Sequence, residues 1–433
     1  MQTKKILLLL ILLLFCLPYL QSELQFAKEK PLSGYFGLLA EPSLDSFNLG
    51  SWKKGNFQAE ITNRVNDHLG FRPSLLRINN QLDYSLFGLT HAEGFVKGEG
   101  RNFFQDDYIS EFDGRFFIGR GVLLKKLWKL KDVQDSLEAH GIHMLLVIEP
   151  CKVSYFTESV PSHLLKQPLR ESNYHFISSR LDTYGIHNLD LNSWFRLMKD
   201  TSRYPLFSPY GMHWSVYGEH LSLDTVMRSI ERVSGITMPH IRITRIRLSD
   251  SLYQTDNDIG RLLNLVWELR KVSLPYPGIS IGRKGVDTSL KTLVIGDSYY
   301  ETILRDVRGP LFPGSEFWYY NSMLYPYIYD DNNTRMVDKS GILNKYGKFK
   351  VILLMTSGIN FHSFLWNFMD EAYAAFHPGY KEPPVYEWEN AIRNLRPWFE
   401  KVAVKAEKRG RPLELQLHDE AEWMLKQNAA RAK

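Results

Sequence analysis

Three short runs in this chain are apolar almost without a break: His143–Ile148 (HMLLVI), Thr292–Ile295 (TLVI) and Lys350–Thr356 (KVILLMT). A strand with one wet face alternates; a strand apolar at nearly every position has both faces covered. Amphipathic helices lie between these runs. Val122–His140 sets Leu123, Leu127, Leu130, Val133 and Leu137 on one stripe and stops at Gly141. Further helices are predicted over Ser172–Tyr184, Glu219–Val233 and Ile259–Val272, the last in a segment that reads as inserted. Ile186–Leu191 reads as another short strand. The alternation predicts an α/β fold, a parallel sheet with helices on both faces. Sites in such sheets lie beyond the carboxyl ends of the strands. Ser298, Lys152 and Asn360 all fall just past strand ends, which fits one shared cleft.

Within this frame, Lys291–Val307 (KTLVIGDSYYETILRDV) runs from strand to turn to helix, with Ile303, Leu304 and Val307 on the inner face. Ser298 stands at the junction, where a turn exposes a hydroxyl and a helix N-terminus offers N–H groups to an oxyanion. Gly296-Asp297-Ser298 by itself equally describes a turn and a helix cap. The second stretch, Ser208–Gly218 (SPYGMHWSVYG), adds the histidine that a serine nucleophile needs. The alternative for His213 is a half-buried structural histidine.

With these two stretches, the chain resembles the AlgJ/AlgX-type SGNH-hydrolase-like proteins, the alginate O-acetyltransferase family. The family's Gly-Asp-Ser block is matched by Gly296-Asp297-Ser298, and its upstream His-Trp block by His213-Trp214, with His before Ser in both. Weaker likenesses run through 67–88, 148–161 and 398–423. The resemblance implies an SGNH-hydrolase-like, flavodoxin-like core, with Ser298 as nucleophile and His213 as base. It implies O-acetylation of an exported polysaccharide such as alginate, with a membrane-bound O-acyltransferase as acyl donor. One position departs. The family carries Asp two residues before its His; here that residue is Gly211. Loss of an orienting acid lowers a serine-protease rate by about 10⁴-fold. A substitute is expected from a backbone carbonyl, from Tyr210 or from a distant carboxylate; with no acceptor behind His213 the pair is a slow dyad, and in that case Gly211→Asp raises activity. The rival readings are a carbohydrate esterase with the same residues and a non-catalytic polysaccharide-binding scaffold, which Gly211 favours.

Other residues carry expectations of their own. Asp297 can steady the nucleophile turn by accepting backbone N–H groups, as any Asx turn would. Asn321 (WYYNSM) can donate to an oxyanion or be an exposed loop amide. Lys152, in a Pro-x-Lys pattern, faces the cleft or the solvent. His362 reads as structural. Asp256 and Asp258 lack a third ligand for a cation. No cofactor or metal site is expected.

The chain's 433 residues, 44% hydrophobic, are enough for a large core. A net charge of +5 gives no reason to expect nucleic acid and does not repel an anionic polysaccharide. Lys4 and Lys5 precede the Leu/Ile run Ile6–Leu17, and Pro18 is expected to end it. Residues 1–22 are therefore a signal peptide or an uncleaved inner-membrane anchor, which places the body in the periplasm or otherwise outside the cytoplasm. With Cys16 in that segment, only Cys151 remains, so no disulfide forms within one chain. Residues 23–118 read as a helical and hairpin region and 119–385 as the core. Within the former, Glu23–Gly50 is a loose approach. Phe57–Phe87 is two helices split at Gly70 and Pro73, with Ile61, Val65, Leu69, Leu75, Leu76, Ile78, Leu82 and Leu86 facing inward. FVKGEGRNFF forms the hairpin. Residues 386–433 read as terminal helices, over Trp388–Arg409 with a kink at Pro397 and over Pro412–Ala430.

Overall fold

A computed structural model describes residues 2–34, 49–307, 311, 314–326 and 333–431. Part of the expected loose approach, 35–48, lies outside the described residues. The chain forms two compact units. One is Met1–Lys97 with Asp258–Lys271; the other is Gly98–Asn257 with Val272–Lys433.

The first unit is helical. Helix α1 spans Gln2–Leu24. It runs straight through Pro18, which was expected to end it: one proline removes a single backbone donor and the Leu-rich flanks carry the helix on. Lys4–Leu24 is long and apolar enough to cross a membrane. Three more helices follow, α2 (Leu49–Lys54), α3 (Asn56–His68) and α4 (Arg72–Phe87). The α3–α4 corner is Gly70, where a Cβ would lie 2.2 Å from the Pro18 carbonyl oxygen. The inward face expected for α3 and α4 is not found. Ile61, Leu69, Leu75, Ile78, Leu82 and Leu86 are all exposed. The predicted helix Ile259–Val272 shrinks to Asp258–Leu262. Asn264 ends it at φ 47° and bonds both the N–H and the carbonyl of Ser33.

The second unit holds a seven-stranded sheet: β1 (His143–Ile148), β2 (Asn188–Asp190), β3 (Thr292–Gly296), β4 (Glu316–Tyr319), β5 (Met323–Tyr325), β6 (Arg335–Met336) and β7 (Val351–Thr356). The spatial order is β6-β5-β4-β3-β7-β1-β2. Strands β4, β3, β7, β1 and β2 are parallel. The edge strands β5 and β6 are antiparallel, so the sheet is mixed rather than wholly parallel. Side chains leave each strand alternately for two cores. Met144, Leu146, Ile148, Ile352 and Leu354 pack with the Leu123–Leu137 stripe of α5 (Arg120–Ala139) and with Phe399 and Leu417 of the C-terminal helices. Leu145, Val147, Leu353 and Met355 pack with α6 (Val216–Ser234) and α7 (Ser298–Asp306). Both faces are thus covered, as a parallel sheet demands.

Outside the sheet, His240–Ser249 and Leu274–Gly282 form a long antiparallel ribbon. The C-terminal region is three helices, Pro384–Asn394, Arg396–Lys408 and Leu413–Arg431. Pro397 sits in the first turn of the second, where its missing N–H leaves nothing unpaired, so it breaks the expected helix instead of kinking it.

Candidate active site

Strand β3 is buried along its whole length and ends at Gly296. Asp297 then caps α7, its Oδ1 accepting the Tyr299 N–H at 3.0 Å. That cap turns the chain sharply and leaves Ser298, half-buried, as the first residue of the helix. Among the described residues no acceptor bonds the Ser298 N–H, so a donor stands free at the positive end of the helix dipole.

The His213 turn reaches the same place from the segment before α6. His213 Nε2 lies 2.8 Å from Ser298 Oγ. For the hydroxyl to donate to Nε2, the ring hydrogen must sit on Nδ1. The imidazole stands edge-on to Tyr299, centroids 4.8 Å apart, and the Tyr299 hydroxyl donates to the Pro150 carbonyl. One residue on, the fully buried Trp214 donates from Nε1 to Thr302 Oγ1 at 3.2 Å. Ser298 and Thr302 are four apart on α7 and therefore share a face. Consecutive residues of the turn thus grip consecutive turns of the helix.

Lys152, expected at the cleft or the surface, is buried. Its Nζ donates to the carbonyls of Pro209 (2.9 Å) and Gly211 (2.7 Å), so it holds the backbone of the His213 turn. Ser208 Oγ donates to the Asp256 carbonyl at 2.5 Å. Tyr210 is buried against Phe103. At Gly211 an added Cβ would lie 2.1 Å from the Thr255 carbonyl oxygen. The 255–256 segment thus occupies the space that an aspartate side chain at 211 would need.

Asp297 anchors a wider network. Its Oδ2 accepts from Asn360 Nδ2 at 2.7 Å and Ser357 Oγ at 3.2 Å, and the Tyr108 hydroxyl donates to Ser357 Oγ at 3.1 Å. Asn360 does lie with Ser298 past the strand ends, but it serves Asp297. Among the described residues, none donates to either carboxyl oxygen of Glu149, which is fully buried just past β1. Burial, with the Asp297 charge beside it, pushes its pKa well above the carboxylate range. A protonated Glu149 donating to Asp297 satisfies both groups.

Asn321 is not placed as an oxyanion donor. Its Nδ2 hydrogens go to the Trp366 carbonyl (3.1 Å) and the Glu371 carboxylate (3.0 Å). They steady the run Phe364–Asn367, four consecutive residues at positive φ. His362 is structural: stacked on Phe399 at 4.3 Å, with burial lowering its pKa to about 4. Burial raises the Cys151 thiol to about 11, which keeps it unreactive. Among the described residues no cluster could hold a metal ion.

Residues 121–268 match the family described as SGNH hydrolase-like domain, acetyltransferase AlgX. Over that segment, about a third of the chain, the sequence is similar to the AlgX-type SGNH hydrolase-like family. The AlgX-type match takes in β1, α6 and His213 and stops short of Ser298. No curated protein matches the chain. Among solved structures, the O-acetyltransferase domain of Pseudomonas putida AlgJ is 15% identical, with 65% of this chain and 99% of that one covered at a TM-score of 0.40. AlgX of Pseudomonas aeruginosa is 15% identical over 66% and 68%, at 0.41. PatB1 of Bacillus cereus is 12% identical over 57% and 92%, at 0.35. At such distances these likenesses decide nothing further.

Glu149, Ser357 and Thr302 were not legible as site residues in the sequence. Glu149 did leave a signal: a carboxylate directly after five apolar strand residues has little chance of reaching water.

Proposed function

We propose that this chain is an exported serine-dependent O-acyltransferase that acetylates an extracellular polysaccharide through an acyl-enzyme. The observation that carries the reading is the 2.8 Å contact between His213 Nε2 and Ser298 Oγ at the N-terminus of α7. It occurs in a chain whose His213 segment is AlgX-type.

The proposed steps are these. Ser298 Oγ attacks the acyl carbonyl of the donor while His213 Nε2 takes its proton. The carbonyl oxygen becomes an oxyanion, and the Ser298 N–H is the donor in reach of that charge. Collapse breaks the bond to the donor's leaving group, which takes the proton back from His213. A sugar hydroxyl then enters, gives its proton to His213 and attacks the acyl-serine. Ser298 leaves with that proton, and the acetylated sugar departs. Tyr320, half-exposed, donates its backbone N–H to the Gly296 carbonyl and packs against Trp366, 5.2 Å between centroids. An aromatic pair beside the nucleophile turn suits a sugar ring. The acyl donor on this reading is a membrane-bound O-acyltransferase partner.

The test is Ser298→Ala, assayed with an activated acetyl donor and an oligosaccharide acceptor. Transfer should vanish with the thermal midpoint nearly unchanged, because the hydroxyl's removal takes away one hydrogen bond, ~1 kcal/mol. Turnover equal to wild type would remove Ser298 from the mechanism. Free acetate with no acetylated sugar from the wild type would make the protein an esterase.

A further inference from the structure

Helix α4 presents its apolar side outward. Leu75, Ile78, Leu82 and Leu86 form one stripe at helical spacing; Leu82 is 54% exposed and Leu86 69%. Phe87, the last residue of the helix, and Leu89 beyond it are exposed as well. The direction is fixed by the other face. Ser74 bonds Glu29. The Arg77 guanidinium donates to the Lys30 and Pro31 carbonyls, each at 2.8 Å. Asn80 Nδ2 donates to the Leu263 carbonyl, and Gln81 accepts the Trp267 N–H. At 3.6 residues per turn, positions 77 and 80 lie nearly half a turn from the middle of the stripe, and 74 and 81 about a quarter turn from it. The polar face is thus tied down and the apolar face is left outside, the reverse of a soluble surface helix.

The start of α4 is equally defined. Gly70 abuts Pro18, Gln21 and Ser22 of α1, Ser22 Oγ donates to the His68 carbonyl at 2.7 Å, and Phe71 meets Phe26 edge-on at 5.8 Å. Gln21 is buried, its amide bonding both the N–H and the carbonyl of Ala27. The last turns of α1 are built into this unit, and cleavage near Ser22 would remove part of its packing. If α1 spans a membrane, its last turns lie near the membrane boundary, and α4 begins beside them. Sixteen residues give it a length of about 24 Å. In the same unit, α2 carries an exposed Trp52 beside Lys53 and Lys54, residue types that favour a lipid–water boundary.

We propose that α4 lies in the membrane–water interface with its Leu75–Leu86 stripe in the lipid, a second attachment beside α1. The proposal rests on α1 being a retained span, and the experiment separates the two. Full-length chain with Cys16→Ser and Cys151→Ala receives Leu82→Cys or Leu86→Cys, labelled with an environment-sensitive fluorophore. It is reconstituted into phosphatidylcholine vesicles containing some phosphatidylglycerol. Alkaline carbonate extraction reads α1 alone: release of the chain defeats the span, whatever the probes report. With the chain retained, both probes should show blue-shifted emission, quenching by spin-labelled lipid and protection from iodide. Iodide quenching without lipid quenching overturns the proposal. Protection from both, with or without cysteine cross-links between chains, also overturns it and assigns the face to protein, a second copy if cross-links form. Ile78→Ser with Leu82→Ser and Leu86→Ser should leave carbonate resistance intact and abolish lipid quenching of a probe at Leu75→Cys.

Discussion

Gly211 carries the most specific consequence at the scale of single residues. An aspartate there would drive its Cβ to 2.1 Å from the Thr255 carbonyl oxygen, and backbone cannot swing aside as a side-chain tip can. Gly211→Asp should therefore lower the thermal midpoint and reduce acyl transfer; a midpoint at or above wild type, with faster turnover, would refute this. The sequence exposed the vacancy in the family pattern and not its cause, because the obstructing carbonyl belongs to a segment more than forty residues away. Glu149 yields a pH prediction. Its pKa is raised in the fold by burial and by Asp297, so the folded state favours the protonated acid. The stability this proton supplies is complete below the unfolded carboxylate pKa and is lost as pH rises through the folded value. Glu149→Gln, which keeps the shape and a donor but cannot ionise, should retain turnover in neutral buffer. Its melting temperature should fall less than the wild type's between mildly acidic and alkaline conditions. Parallel melting curves across that range would mean that Glu149 does not hold the proton.

Among the elements, the buried strands were the most legible. His143–Ile148 and Thr292–Ile295 read true because a run without polar residues has only one place to go. The Ser298 turn read true because strand, Gly-Asp and helix are all local signals. Where the reading failed, a distant partner had decided. Ile259–Val272 has helical spacing, yet Asn264 leaves the helix to bond Ser33. HIRITRIRLS alternates with period two and is half of a long ribbon whose other strand lies beyond an intervening segment. On α4 the period was right and the face was wrong, since periodicity finds a stripe without saying what covers it. Lys152 tests how the His213 turn is held. Lys152→Met keeps the length and removes the donor, leaving the Pro209 and Gly211 carbonyls unbonded by it at a cost of about 2 kcal/mol or more. The expected result is a lower melting temperature and a fall in kcat with KM little changed. A change in KM alone would place Lys152 against substrate instead.

For the molecule as a whole, the strand order has a bearing on when the site comes into being. β7 is the last strand in the chain, yet it lies between β3 and β1: Val351 pairs with Thr292 on one side and with His143 on the other. β1 leads directly to Lys152, which holds the His213 turn, and β3 leads directly to Ser298. Until β7 is inserted, nothing in the sheet sets those two strand ends at their distance. Contacts between residues so far apart in sequence form late, after the long loops have closed. A chain made N-terminus first would thus deliver His213 and Ser298 before the strand that unites them. On the proposed reading acyl chemistry would wait for β7 to arrive, so a chain ending before Val351 would carry both residues and remain inert.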